Sequence, residues 1–126
     1  MKKLNIFAIL ALVLFLFSCT EKEYIDADPQ LLFTVVADNL VFVEGASVSL
    51  FNSQEDWENH SNVVASLQTD GKGQVLFENL DEQIYYFFIE KGDLNNLADI
   101  AALSAPLQIG RKSELFVKIM DTQLQR

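Results

Sequence analysis

The sequence predicts an all-β fold: a single antiparallel Greek-key β-sandwich of about seven strands, placed after an N-terminal segment that does not join it. Three observations carry that expectation. From residue 31 onward, apolar residues recur with a period of two, which is the pattern of strands buried on one face. Short runs rich in Val, Ile, Phe and Tyr follow one another at intervals of about ten residues. Gly, Asp and Asn separate them, and these residues supply turn geometry.

The segment before the sandwich sets the location. Met1, Lys2 and Lys3 precede twelve consecutive apolar residues, Ile6 to Phe17. A helix crossing a bilayer needs about 20 such residues, whereas a secretory signal needs about 7–15. The run therefore reads as a targeting segment, residues 1–18. Its end, Leu16-Phe17-Ser18-Cys19, resembles the lipobox of bacterial lipoproteins, with Phe17 departing from the usual small or branched residue. The resemblance implies cleavage before Cys19, lipid attachment at its thiol and acylation of the new amine. The alternative is a free thiol in an uncleaved anchor. Several acyl chains, at about 0.8 kcal/mol per buried CH₂, would hold a domain at a membrane. Residues 19–30 then form a polar, acidic tether containing Pro29. Glu21, Glu23, Asp26 and Asp28 resemble a surface-export signal of some Gram-negative lineages, or form a solvated linker.

Cleavage would leave 108 residues, with seven Lys and Arg against eighteen Asp and Glu, a formal charge of −11. That length suits one domain, residues 31–126. The charge excludes nucleic acid, whose phosphates require clustered Lys and Arg. An anionic membrane surface would repel the domain, so the expected membrane contact is the lipid alone. With Cys19 acylated, no disulfide or thiolate metal site remains within the chain.

The strands follow in order. "LLFTVVA" (31–37) is β-branched and aromatic, and Asp38-Asn39 ends it. "GASVSLF" (45–51) points Val48 and Leu50 one way, Ser47 and Ser49 the other. "NVVASLQT" (62–69) places Val63, Ala65 and Leu67 on one face, and "GQVLFENL" (73–80) does the same with Val75 and Phe77. "QIYYFFIEKG" (83–92) is apolar on both faces, as a central strand covered on both sides would be. "SELFVKIM" (113–120) turns Leu115, Val117 and Ile119 inward. Between these runs, "LADIAAL" (97–103) has room for a helical turn or two before Pro106. Residues 92–112 are expected to hold short local structure or an edge strand.

"VEGASVSLF" (43–51), "QTDGKGQVLFENL" (68–80) and "IYYFFIEKG" (84–92) resemble the carboxypeptidase regulatory-like group, whose domains have a prealbumin (transthyretin-like) sandwich related to collagen-adhesin B repeats. Gly45, Ala46, Val48 and Leu50 match the first part of its pattern. Thr69, Asp70, Gly73, Phe77 and Leu80 match the second, and Tyr85 and Tyr86 the third. The resemblance implies Gly45, Asp70 and Gly73 as fold-specifying turn residues, with Gly73 in the left-handed region. Adhesin repeats often carry a Lys–Asn cross-link from their first strand; "LLFTVVA" has no lysine, so none is expected.

Chemistry-bearing residues are sparse. "QEDWENH" (54–60) gathers carboxylates around Trp57 and His60, but transition-metal sites need three or more convergent ligands. "DGKG" (70–73) lacks the closing acid of a calcium loop. No nucleophile elbow, phosphate loop or triad occurs. Neither catalytic residues, a metal nor a cofactor is expected. Trp57 is the candidate contact for a partner, since Trp is enriched at binding hot spots; its alternative role is to cap the sandwich. The expected function is a non-enzymatic, membrane-tethered module of the bacterial cell envelope, at the outer membrane, presenting its surface to a protein or polysaccharide. The alternatives are a spacer or assembly subunit joined through sheet edges and, remotely, an accessory domain of a hydrolase system. The sequence leaves oligomeric state open.

Overall fold

Eight strands, one short helix and a tight turn make up residues 27–98 and 102–121, the part of the chain described by the computed structural model. In chain order these are β1 (Gln30–Val36), a turn at Asp38–Leu40, β2 (Ser47–Phe51), α1 (Gln54–Asn59), β3 (Ala65–Gln68), β4 (Gln74–Phe77), β5 (Tyr86–Lys91), β6 (Leu94–Asn95), β7 (Lys112–Lys118) and β8 (Met120–Asp121). Two sheets form, one ordered β4-β1-β7 and the other β3-β2-β5-β6-β8.

The period-two pattern decides which side chains meet between the sheets. Leu31, Phe33 and Val35 from β1 face Val48 and Leu50 from β2 and Phe87 and Ile89 from β5, all buried. Val75, Phe77, Val117 and Ile119 complete the layer, with Leu115 packed at its margin. Phe33 sits in the middle. Its ring meets Phe77 and Phe87 edge-on, at centroid separations of 5.8 and 5.0 Å, the arrangement aromatic quadrupoles favour.

One pair departs from the antiparallel pattern expected. β1 pairs antiparallel with β4 but parallel with β7, in register from Gln30–Lys112 to Val36–Lys118. The first strand therefore occupies the centre of its sheet, between the fourth and the seventh. Periodicity reports which face a strand turns inward and carries no information about direction.

The domain also starts earlier than composition implies. Pro29 is fully buried and its carbonyl accepts from Leu80 N, while Ala27 O accepts from Gly110 N at 2.7 Å. Residues 27–30, read above as tether, are part of the fold.

Elsewhere the edge of β5 is finished by side chains. Of β5, only Glu90 and Lys91 pair with β6, which leaves Phe87 and Ile89 short of a strand partner on that side. Asn96, 1% exposed, fills the gap: its Oδ1 accepts from Ile89 N at 2.9 Å and its Nδ2 donates to Phe87 O at 3.2 Å. Ser104 Oγ accepts from Tyr85 N in the same way. The buried Tyr85 hydroxyl accepts from Asp81 N at 2.9 Å, four residues upstream, as in the tyrosine corner of Greek-key sandwiches. In the stretch expected to allow a helix, Leu97 and Ala98 form a turn and Leu103 bridges to Tyr86, with residues 99–101 outside the described part.

Candidate functional site

Gly45, Asp70 and Gly73 come together at one end of the sandwich. Asp70 Oδ1 accepts from the backbone N–H groups of Lys72 and Gln74, at 2.9 and 3.0 Å. The N–H of Gln74 and that of Lys72 hold the exposed Asp70 carboxyl below the usual carboxylate range. Gly73 has φ 71° and Gly45 has φ 75°, the left-handed region where a side chain is strained. Thr69, buried beside them, donates its hydroxyl to Val43 O and accepts from Ala46 N. It ties the β3–β4 turn to the turn that leads into β2.

A pH test follows from Asp70. A depressed carboxyl pKa contributes stability that is present above the unfolded value, near 4, and is lost as pH falls through the folded value. Asp70→Asn is therefore expected to be less stable than wild type near neutrality, with the difference shrinking as pH falls below the unfolded value and through the lower folded one. Urea midpoints measured across that window check it; a constant difference would contradict the role.

Trp57 lies on α1. Ser53 Oγ caps that helix by accepting from Asp56 N, and His60 closes it with φ 52°. The helix packs against β2 and β5. Trp57 is half-buried against the core, and its Nε1 donates to Phe87 O at 2.7 Å. The polar atom of Trp57 is thus used within the fold, and a partner would meet only its ring. His60 stands edge-on to Phe88 at 4.6 Å and to Phe51 at 6.3 Å. With Ser49, Val63 and Glu90 these residues line an open cleft of about 380 Å³. The outer side of β5 is covered only in part, and Tyr86 and Phe88 remain half-buried. Val63, expected on the inward face with Ala65 and Leu67, lies before β3 and borders this cleft instead. Asn62, with φ 53°, breaks the alternation there.

Beside the cleft the five-stranded sheet ends at β3. This edge is open: Ser66, Leu67 and Gln68 are exposed. Leu67 is paired with the fully buried Val48, yet is itself 45% exposed. No Asp, Glu, Lys or Arg occurs from Ser61 to Thr69. β4 flanks the same side in the other sheet, and Gln74–Phe77 is uncharged too. The edge of β7 is different, bearing Lys112, Glu114 and Lys118, and charges of that kind block edge pairing. A second apolar exposure lies at Leu40, Val41 and Phe42, where Asn39 and Leu40 both have positive φ. Among the described residues the β7 edge also exposes an apolar side chain, Phe116, but it stands between Glu114 and Lys118, whereas Leu67 on β3 has no charged neighbour within its strand.

Among the described residues no group of three or more His, Cys, Asp or Glu could hold a metal ion. Cys19, the expected lipid site, lies outside those residues. Reasoning on the sequence missed the β3 edge, although the nine uncharged residues were visible in a chain this acidic.

No family model and no curated protein matches the chain. Solved structures do. The Bacillus anthracis TIE protein matches with TM-score 0.55 and 17% identity over 75% of this chain and 17% of its own. The pilus 2b backbone protein of group B streptococcus matches with TM-score 0.50 and 16% identity, over 79% and 43%. The shaft pilin SpaA of Lactobacillus rhamnosus GG, as a double mutant, matches with TM-score 0.51 and 13% identity, over 74% and 49%. The chain spans less than half of each. The fold is a β-sandwich of the kind found in pilus proteins.

Proposed function

We propose that this chain is a non-catalytic structural module of the bacterial cell envelope, lipid-anchored at Cys19, that joins protein neighbours through a sheet edge. The observation that carries the reading is the open, uncharged edge of β3, since soluble sandwiches otherwise protect such edges with charge, proline or a covering element. The likeness in fold to pilus backbone and shaft proteins supports an assembly role over an enzymatic one. The lipobox resemblance and the acidic segment after Cys19 support the location. The roles of Thr69, Asp70 and Gly73 in one locked corner support a carboxypeptidase regulatory-like, transthyretin-like ancestry.

The test is made in the native envelope. A photo-cross-linking residue at Leu67 is expected to give protein adducts, and the same residue at Glu114, on the opposite flank, is expected to give none. Fatty-acid labelling is expected in wild type and lost in Cys19→Ala. Equal labelling of both proteins would remove the anchor, and no adduct from position 67 would remove the edge.

A further inference from the structure

Resting on the assembly function proposed above, we infer that the occupant of the β3 edge is β3 of a second copy, paired antiparallel about a two-fold axis at Leu67. Backbone geometry selects the register. Thr69 N donates to Ala46 O, and β3 pairs with β2 as Leu67–Val48 and Ala65–Leu50. In an antiparallel ladder, bonding residues alternate. Ala65 and Leu67 therefore turn their N–H and C=O toward β2, and Ser66 and Gln68 turn theirs outward.

A two-fold axis at Leu67 sets Ser66 opposite Gln68 of the other copy, and Gln68 opposite Ser66. Both are hydrogen-bonded pairs, giving about four backbone bonds across the joint. An axis at Ser66 would instead set Gln68 opposite Val64, whose N–H is already given to Leu50 O. The Leu67 axis has a second consequence. It brings the two Leu67 side chains face to face in a non-hydrogen-bonded pair, where side chains approach most closely. Each is inward-directed and 45% exposed, so each closes the open mouth of the other's core.

Charge points to a copy of this chain as occupant. Two molecules of so acidic a chain, −9 as a full sequence and −11 once cleaved before Cys19, repel one another. The flank formed by β3 and β4 is where that repulsion is weakest, because residues 61–69 and 73–77 carry no charge. The area is small beside the 1,200–2,000 Å² or so of a stable interface. The joint is accordingly weak in dilute solution and strengthened when lipid anchors hold copies on one membrane, which raises their effective concentration.

The full-length protein in its native membranes tests this through disulfide trapping, since Cys19 is its only cysteine. Directly opposed residues in a non-hydrogen-bonded pair lie about 4.5 Å apart between Cα atoms, within the span of a disulfide. Under mild oxidation Leu67→Cys is expected to form dimers at least tenfold faster than Ser66→Cys, Glu114→Cys or wild type. Adding Gln68→Asp to Leu67→Cys is expected to slow trapping about tenfold by placing acids in the neutral window. Adding Ser66→Pro, which removes an outward donor, is expected to do the same, with circular dichroism checking the fold. Faster trapping at Ser66 than at Leu67, trapping at Leu67 no faster than at Glu114, or indifference to Gln68→Asp would each overturn homotypic pairing. If Leu67→Cys stays monomeric while photo-cross-links from position 67 reach a different protein, the edge serves assembly but its occupant is not this chain. If neither forms, the assembly function falls as well.

Discussion

Gly73→Ala is expected to destabilise the domain by roughly 2–4 kcal/mol, combining the left-handed penalty with steric displacement. A Cβ at this position would lie 2.6 Å from Val35 O and 3.2 Å from both Phe42 Cβ and Val43 N. The first of these atoms is backbone of the central strand β1, which cannot retreat without disturbing its bonds to both neighbours. Gly73 O accepts from Val35 N at 2.7 Å, so the new methyl would push on the bond that seats the turn. Gly71, two residues earlier, has nothing within 4 Å of its notional Cβ. Gly71→Ala is expected to change stability by less than about 1 kcal/mol. Urea unfolding of the two variants makes the comparison. Equal, small effects would show that the turn tolerates a side chain and that the close approach to β1 is unimportant.

Asn96→Ala is expected to cost about 2–4 kcal/mol, because it leaves the buried Ile89 N–H without its acceptor and opens a small cavity. Phe87 O keeps the Trp57 indole donor, so the loss falls chiefly on Ile89. Asn96→Asp separates the two roles of the amide. A carboxylate still accepts from Ile89 N–H but cannot donate to Phe87 O, and burial raises its pKa. With the folded pKa raised, the penalty is greatest at neutral pH and eases as pH falls toward the folded value, where the protonated acid can donate. Unfolding midpoints for both variants at neutral and acidic pH provide the check. A pH-independent cost for the Asp variant would show that Asn96 merely fills space.

These two positions differ in how far the sequence discloses them. Gly73 stands in a Thr-Asp-Gly-Lys-Gly turn between two alternating runs, and local chemistry alone marks it. Asn96 stands in a stretch with no periodicity, and its role arises because β6 is too short to pair with the rest of β5. Nothing within a few residues of Asn96 reports that. The same division runs through the fold. Val48, Leu50, Val75, Phe77, Val117 and Ile119 are buried as their spacing predicts, since a strand's faces are set by its own alternation. The parallel pairing of β1 with β7 is a relation between segments about eighty residues apart, invisible to any window. α1 was not anticipated: its start is marked by Ser53 followed by Glu55 and Asp56, but it spans only six residues, too few for a helical period to show. For the candidate site, the sequence held the absence of charge between His60 and Asp70. That this stretch lies on an open edge depends on the order of strands in the sheet.

The parallel contact between β1 and β7 also determines how the domain would meet a mechanical load. Gln30 and Lys118 lie at opposite ends of two neighbouring strands that run side by side over seven registered pairs. A pull applied between them acts along the strands, in shear. The rungs joining the strands would then carry tension together and yield as a group, whereas a hairpin pulled from its open end surrenders one rung at a time. A chain held at one end by a membrane and loaded at the other would be resisting traction along its strongest direction.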